Sequence, residues 1–436
     1  MQNALLRDLQ NMDDMNTAPS ATSVPSVPPA RTPTYDDLAG SWARLHRLSH
    51  LQSIAGWDQA ANMPPKGNEA RAAALAEMAA LLHRMRTDAK LPDQLSRAEQ
   101  EPLTDLQRAN LREMRRQWRA SNALPESLVQ QQQIAASRCE HAWRQQRPAN
   151  DWKGFVENFR DVLALGREEA ELLSQLNGVR KYDALMDRFE PGMTCAHVDR
   201  VFGEVRQWLP GLIQQVTARH AQHQAQAPLI AAVGPFPLPA QRVLCEQVMR
   251  LLGFDFDAGR LDVSTHPFCG GVPEDVRMTT RFRADDFLGS LMGTVHETGH
   301  GRYEQNLPRD WLGQPVSDAR SMALHESQSL SFEMQLGSHP GFVARLAPLV
   351  AAAFGEQPAF APQNLHRLIT RVKPGHIRVD ADEVTYPAHF LFNIEAAFDD
   401  GHRVLSERLS ITPSVKVRSF SDERTGNRFV RLDAPR

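Results

Sequence analysis

Four cysteines in 436 residues, Cys139, Cys195, Cys245 and Cys269, are scattered along the chain and form no Cys-x-x-Cys pair. That argues against a disulfide framework. It fits a reducing, cytoplasmic compartment, where thiols serve as small buried hydrophobes. Charge of one sign is equally scarce, since 49 Lys and Arg stand against 52 Asp and Glu. Electrostatics therefore give no reason to expect nucleic acid or a membrane surface as a partner. No run approaches the roughly 18 apolar residues that suggest a spanning helix. The N-terminus, MQNALLRDLQNMDDMN, has no basic lead, no long apolar core and no clear cleavage site, and its acidic residues argue against a transit peptide. No internal repeat recurs at a fixed period. What remains is a globular composition, 42% hydrophobic and 23% charged. The length suits one large domain or two or three ordinary ones.

Residues 16–33, NTAPSATSVPSVPPARTP, carry nothing to bury, so residues 1–34 read as a disordered tail. From Tyr35 onward helical periodicity dominates. Leu111, Met114 and Trp118 fall at i, i+3, i+7, and Phe155, Phe159 and Val162 at i, i+4, i+7. Such stripes predict core-facing helices. Pro and Gly punctuate the helices at NALPES, RPAND and RFEPGM. One region breaks the rhythm. RLDVSTHPF (260–268) and DVRMTTRF (275–282) lean toward strand, with CGGVPE between them as a turn. The pattern predicts a short hairpin in a mainly α chain.

Directly after that hairpin comes GTVHETGHGRYEQN, residues 293–306. On a helix, His296 and His300 lie one turn apart, with Cβ atoms roughly 5–6 Å from each other. Both imidazoles can then reach one metal ion at about 2.0–2.1 Å. Glu297 is rotated about a quarter turn away, poorly placed to ligate but able to reach a water. The order H-E-x-x-H thus supplies two ligands and one general base. Leu288, Leu291, Met292 and Val295 lead into it as an apolar run suited to a buried helix. Zinc in a hydrolytic site wants a third protein ligand and one open position. Glu326, 30 residues after His296 in a second helical stretch, leaves room for a turn and an antiparallel return helix. By itself Glu326 would read as a solvated helix carboxylate, and the ligand count that zinc requires is what favours it as a ligand. Two neutral imidazoles and one carboxylate leave a dication with residual positive charge, which lowers the pKa of a coordinated water toward about 7.

These residues, with others in the same order, resemble the carboxypeptidase Taq family of metallocarboxypeptidases. The resemblance rests on HPF at His266–Phe268, DVRMTT at Asp275–Thr280, HETGH at His296–His300, HESQ at His325–Gln328, IRVDAD at Ile377–Asp382 and the early WDQAANMPP at Trp57–Pro65. It implies a single, mainly α domain over residues 35–401, with a deep groove and a small β-sheet beside the H-E-x-x-H helix, forming a homodimer. It implies broad removal of C-terminal amino acids from peptide substrates with zinc or cobalt. It also implies His296, His300 and Glu326 as metal ligands and Glu297 as the catalytic carboxylate.

Arg378, in IRVDAD, suits a grip on the substrate's terminal carboxylate, because a guanidinium fork makes two parallel charge-assisted bonds. A surface charge is an equal alternative. Tyr386 could steady an oxyanion, although a buried, satisfied tyrosine is the favoured reading. His266, Asp275 and Arg277 would shape the substrate pocket, with a structural salt bridge between Asp275 and some Arg equally open. The hairpin offers a strand edge to a peptide.

After FLFNIEAAFDDG (390–401) the sequence turns rich in Arg and Ser, and the family's later GxxQDxHW motif does not follow. Residues 402–436 therefore read as an aberrant segment from a frameshift or truncation. That leaves a second functional reading, an inactive metal-binding remnant acting as a dimerisation module.

Overall fold

The computed structural model describes residues 31–374 and 381–388, together with two strand segments at 416–421 and 428–433. The first helix, α1 (Pro33–Ala61), begins slightly inside the expected tail. It is anchored there by the backbone N–H groups of Thr34 and Tyr35, which donate to the Glu101 carboxylate. Proline at the first helical position forgoes an N–H that has no partner in a first turn.

Six helices follow in the N-terminal half: α2 (Asn68–Arg86), α3 (Leu91–Ala98), α4 (Asp105–Asn122), α5 (Glu126–Gln146), α6 (Trp152–Asn177) and α7 (Lys181–Met186). Thr104 and Gln107 form a reciprocal capping box at the start of α4. The stripe on α4 is core, with Leu111 and Met114 buried against Tyr35, Leu38 and Trp42 and with Trp118 packed alongside. The stripe on α6 is not. Phe159 is 41% exposed, and Trp152, Phe155 and Phe159 stack on one another at the surface. Periodicity records that a face is apolar, but a neighbouring element decides whether that face is covered.

The second half holds α8 (Cys195–Gln226) and α9 (Leu238–Leu251), then three strands, β1 (Gly259–Val263), β2 (Phe268–Val272) and β3 (Asp275–Thr280). The order is β1-β3-β2, with β1 parallel and β2 antiparallel to the central β3. The expected two-stranded hairpin is thus corrected. The first run stops at Val263, the chain reverses over Ser264–Pro267, and the expected turn residues CGGV form β2 itself. Gly271, at φ +103 with no room for a Cβ beneath Asp275, gives that strand its close reversal.

Next come α10 (Leu288–Gln305), α11 (Met322–Leu330), a π-helical turn (Ser331–Leu336), α12 (Pro340–Phe354) and α13 (Pro362–Ile369). Lys416–Ser421 and Arg428–Asp433 pair as an antiparallel two-stranded ribbon, β4 and β5. No described helix is long and apolar enough to cross a membrane.

Helix α10 is central. Leu291 and Val295, one turn apart, are fully buried in the largest apolar cluster with Val343, Leu346 and Val350 of α12. Burying each such side chain contributes about 1.5–3 kcal/mol. The polar residues of the same helix hide their hydroxyls internally: Thr294 and Thr298 each donate to the carbonyl four residues back, at 2.7 and 2.6 Å. A third cluster packs Met249 of α9 and Phe254 against Val276 and Met278 of β3. Deleting the buried Leu291 side chain (Leu291→Ala) is expected to cost about 2–5 kcal/mol. Phe159→Ala at the surface should change stability by about 0.5 kcal/mol or less. Denaturant melts of the two variants measure the contrast.

Candidate active site

Two glycines of α10 let its neighbours come close. A Cβ at Gly301 would meet Phe254 and Met278 of the sheet side, within 2.8 and 2.9 Å. A Cβ at Gly299 would fall 2.6 Å from the Ser329 Cα and 2.7 Å from the Gln328 carbonyl of α11. The backbones of α10 and α11 therefore touch where the first bears His300 and the second Glu326. The N-terminus of α11 is fixed from outside: Ser321 accepts from the Leu324 N–H, and its own hydroxyl donates to Glu190, which also takes the Ala323 N–H.

This approach brings His296, His300 and Glu326 together, with one potential ligand atom from each within 4.8 Å of the others. Glu326 Oε2 stands 3.4 Å from His300 Nε2 and 3.9 Å from His296 Nε2. Ligands about 2.1 Å from a tetrahedral ion lie about 3.4 Å apart, so the donor set and its spacing fit a divalent cation. The imidazoles are not surface groups, with side chains only 21% and 15% exposed.

The carboxylates around the site have different environments. Glu326 is held down at about 2, first by the facing His300 ring, with burial opposing and His296 and Tyr386 adding. It is anionic across the working range. The same contact does less for His300, whose burial outweighs it and lowers its pKa, favouring the neutral form that can ligate. Burial also acts against protonated His296, but the Glu333 hydrogen bond and the charges of Glu333, Glu297 and Glu326 outweigh it and raise its pKa. Glu297 is 6% exposed. Burial pushes it up to about 7, with His296 opposing and Glu326 and Glu333 adding. Its Oε2 is buried without a hydrogen-bond partner, an acceptor with capacity to spare beside the cluster.

Three residues that the sequence reading did not assign stand behind the imidazoles. Glu333 Oε2 lies 2.8 Å from His296 Nδ1. His325 Nδ1 lies 2.6 Å from His300 Nδ1, and His325 Nε2 lies 2.8 Å from Glu304 Oε1. Spacing held a partial signal: Glu304 is four residues after His300, and Glu333 is seven after Glu326. Only the π turn at Ser331–Leu336, an element often found at functional sites, sets where Glu333 ends up.

The remaining candidates divide. Tyr386, half-buried, donates to Glu326 Oε1 at 3.1 Å, which makes it a satisfied neighbour of the cluster. Asp275 is in a salt bridge, and its partner is Arg277 of the same strand, through two bonds of 2.5 and 2.9 Å. His50 touches Asp275 at 3.3 Å. The Arg277 guanidinium also stacks on Trp57, 4.6 Å from the ring centroid, which joins the early WDQAANMPP stretch to the sheet. His266 is exposed in the β1–β2 connection and lines a cavity of about 380 Å³ with Trp143 and Arg144. Arg378 lies outside the described residues.

The sequence and fold agree with those of known proteins. The family model described as Carboxypeptidase Taq (M32) metallopeptidase matches residues 37–404. The chain belongs to the carboxypeptidase Taq family. It is 37% identical over 374 residues to thermostable carboxypeptidase 1 of Thermus thermophilus, covering 83% of this chain and 72% of that protein. It is 30% identical to carboxypeptidase 1 of Bacillus subtilis, covering 80% and 70%. The solved structure of Trypanosoma cruzi metallocarboxypeptidase 1 superposes with a TM-score of 0.75 at 43% identity, over 83% of this chain and 72% of that one. The chain is thus a metal-dependent carboxypeptidase with a mainly α fold and a small sheet, and the His296, His300 and Glu326 cluster is where a metal ion can be held.

Two consequences of this geometry are measurable. Gly299→Ala should cost about 1–3 kcal/mol by overpacking and, by pushing α11 away, weaken uptake of a divalent ion; melting curves and metal titration check both. The Asp275–Arg277 pair should carry a pH signature. Asp275 is held below its ordinary 3.8, first by the Arg277 hydrogen bond against the effect of burial. A lowered carboxyl pKa contributes stability that is complete above the unfolded value and lost as pH falls through the folded one. The stability gap between the native chain and Asp275→Asn should be constant above about pH 5 and close below about pH 3.8.

Proposed function

We propose that this carboxypeptidase is a zinc enzyme of broad specificity, with His296, His300 and Glu326 as the ligands and Glu297 as the general base. The observation that carries the reading is the convergence of those three donors within 4.8 Å, next to a buried carboxylate oxygen that no protein group satisfies. Zinc bound there would supply a Lewis acid for the scissile carbonyl and lower the pKa of a water toward neutrality.

Glu297 takes a proton from the attacking water, the water oxygen bonds to the carbonyl carbon, and the C–N bond breaks. Glu297 then delivers the proton to the departing amine, leaving a peptide shortened by one residue and a free amino acid. Tyr386, through its bond to Glu326 Oε1, supports the ligand carboxylate and stands where a phenol could also donate to a developing oxyanion. The outer edge of β2 faces no other described strand, and Gly270 and Gly271 hold no side chains there. A peptide can therefore add to that edge as a further strand. Arg277 is engaged by Asp275 on two nitrogens, so the grip on the terminal carboxylate is assigned to Arg378.

The test is release of free amino acid from N-blocked dipeptides. Release should vanish with a chelator and return with zinc. Glu297→Gln should lower kcat by about 10²-fold or more while zinc is still bound. Amidating the substrate's C-terminus should abolish cleavage, and persistent cleavage would remove the carboxylate grip. One bound zinc per chain with no release from any peptide would instead leave an inactive metal-binding remnant.

A further inference from the structure

We infer that Glu333, and separately the His325–Glu304 pair, are positioning residues that fix the tautomers of His296 and His300, so that both Nε2 lone pairs point toward Glu326. The inference rests on the ligand assignment proposed above and extends it to three groups beyond the ligands.

The hydrogen-bond chain leaves little choice about where the protons are. A carboxylate only accepts. Glu333 Oε2, 2.8 Å from His296 Nδ1, therefore takes its hydrogen from that nitrogen, and a neutral imidazole with a proton on Nδ1 has its lone pair on Nε2. On the other side, Glu304 Oε1 lies 2.8 Å from His325 Nε2, and in a neutral His325 ring this draws the single proton to Nε2 and leaves the lone pair on Nδ1. That lone pair is 2.6 Å from His300 Nδ1, so His300 must donate from Nδ1 and keep Nε2 as an acceptor. His300 Nε2 in turn faces Glu326 Oε2 at 3.4 Å. Two imidazole lone pairs and a carboxylate aimed at one point repel one another unless a cation stands between them. The orienting groups thus prepare the cluster for a metal ion rather than for a hydrogen bond.

The two arms differ in strength. His296 has a direct anionic partner, which raises the basicity of its ring. His300 has a neutral imidazole, and the negative charge of Glu304 reaches it only through the His325 ring. Partners of this kind typically contribute 10–100-fold in metal affinity, and the direct arm should stand at the upper end of that range. Glu304 also borders a cavity of about 330 Å³ at the C-terminal end of α10, alongside Arg86 and Asp318.

Zinc affinity of the full chain, measured by competition with a chromophoric chelator, and ring ¹⁵N NMR of the zinc-free chain at about pH 8 test this together. Glu333→Ala should weaken zinc binding toward about 100-fold and Glu304→Ala toward about 10-fold. Glu304→Gln should recover most of the loss, because its amide oxygen still accepts from His325. The spectra should show His300 protonated on Nδ1 in the native chain and a mixture of tautomers in Glu304→Ala. Native zinc uptake with unaltered affinity in both alanine variants overturns the positioning roles and leaves the ligand assignment standing. So does a native His300 protonated on Nε2 alone, a measurement that needs no variant to fold. A native chain that takes up no zinc removes the ligand assignment and this inference with it.

Discussion

Two helix backbones in contact at Gly299 set the geometry on which the rest of the site depends. Helix α10 carries the paired imidazoles, and α11 carries the carboxylate that completes the cluster. Without a side chain at Gly299, the Ser329 Cα and Gln328 carbonyl approach to a distance that any Cβ would forbid. Gly301 does the same toward the sheet. The motif HETGHG is therefore more than two ligands and a base. Its glycines let three layers, α11, α10 and the sheet, stack closely enough for side chains of ordinary length to converge. The apolar residues of α10, Leu291 and Val295, hold the helix in the core from the opposite face.

Burying so many charged groups is costly, and the site manages this by giving each carboxylate a separate task. Glu326 faces two imidazoles and a phenol and remains ionised. Glu333 and Glu304 are each tied to a ring nitrogen. Glu297 has an oxygen with no partner, and burial raises its pKa to about 7. Four acidic side chains around one point would repel strongly in a low dielectric. Their alternation with imidazoles, and the site's fit to a divalent ion, make the arrangement tolerable. A second charged layer, Asp275, Arg277, His50 and Trp57, lies on the sheet and fixes α1 against β3.

Much of this was legible in the sequence because it is local. Helical spacing alone places His296 and His300 on one face and turns Glu297 away from them. The count of ligands that zinc requires pointed to a carboxylate on a return helix, and the motifs HPF, DVRMTT, HETGH and HESQ together pointed to the family. Composition and period also indicated a mainly α chain with a strand-forming interruption before α10. The errors lie where tertiary contact decides. The Phe155 and Phe159 stripe has helical period, yet among the described residues Phe155 is only half-covered and Phe159 stays exposed. The CGGV stretch has turn-forming glycines yet pairs as a strand, because β3 offers it a partner. Tyr386 finds its hydrogen-bond partner on the candidate ligand Glu326, a contact that no local spacing announces.

What the sequence by itself determined is the set of chemical groups and their local phase: which residues can bind a metal ion, which can move a proton, and which face of a helix each occupies. What only the tertiary structure decided is the pairing of groups distant along the chain: Glu333 with His296, Glu304 through His325 with His300, Tyr386 with Glu326, Arg277 with Asp275 and Trp57. The physical reason is that helical periodicity fixes direction within one element. Distances between elements depend on backbone approach, burial and the need of every buried polar atom for a partner, and none of these is encoded at a fixed spacing.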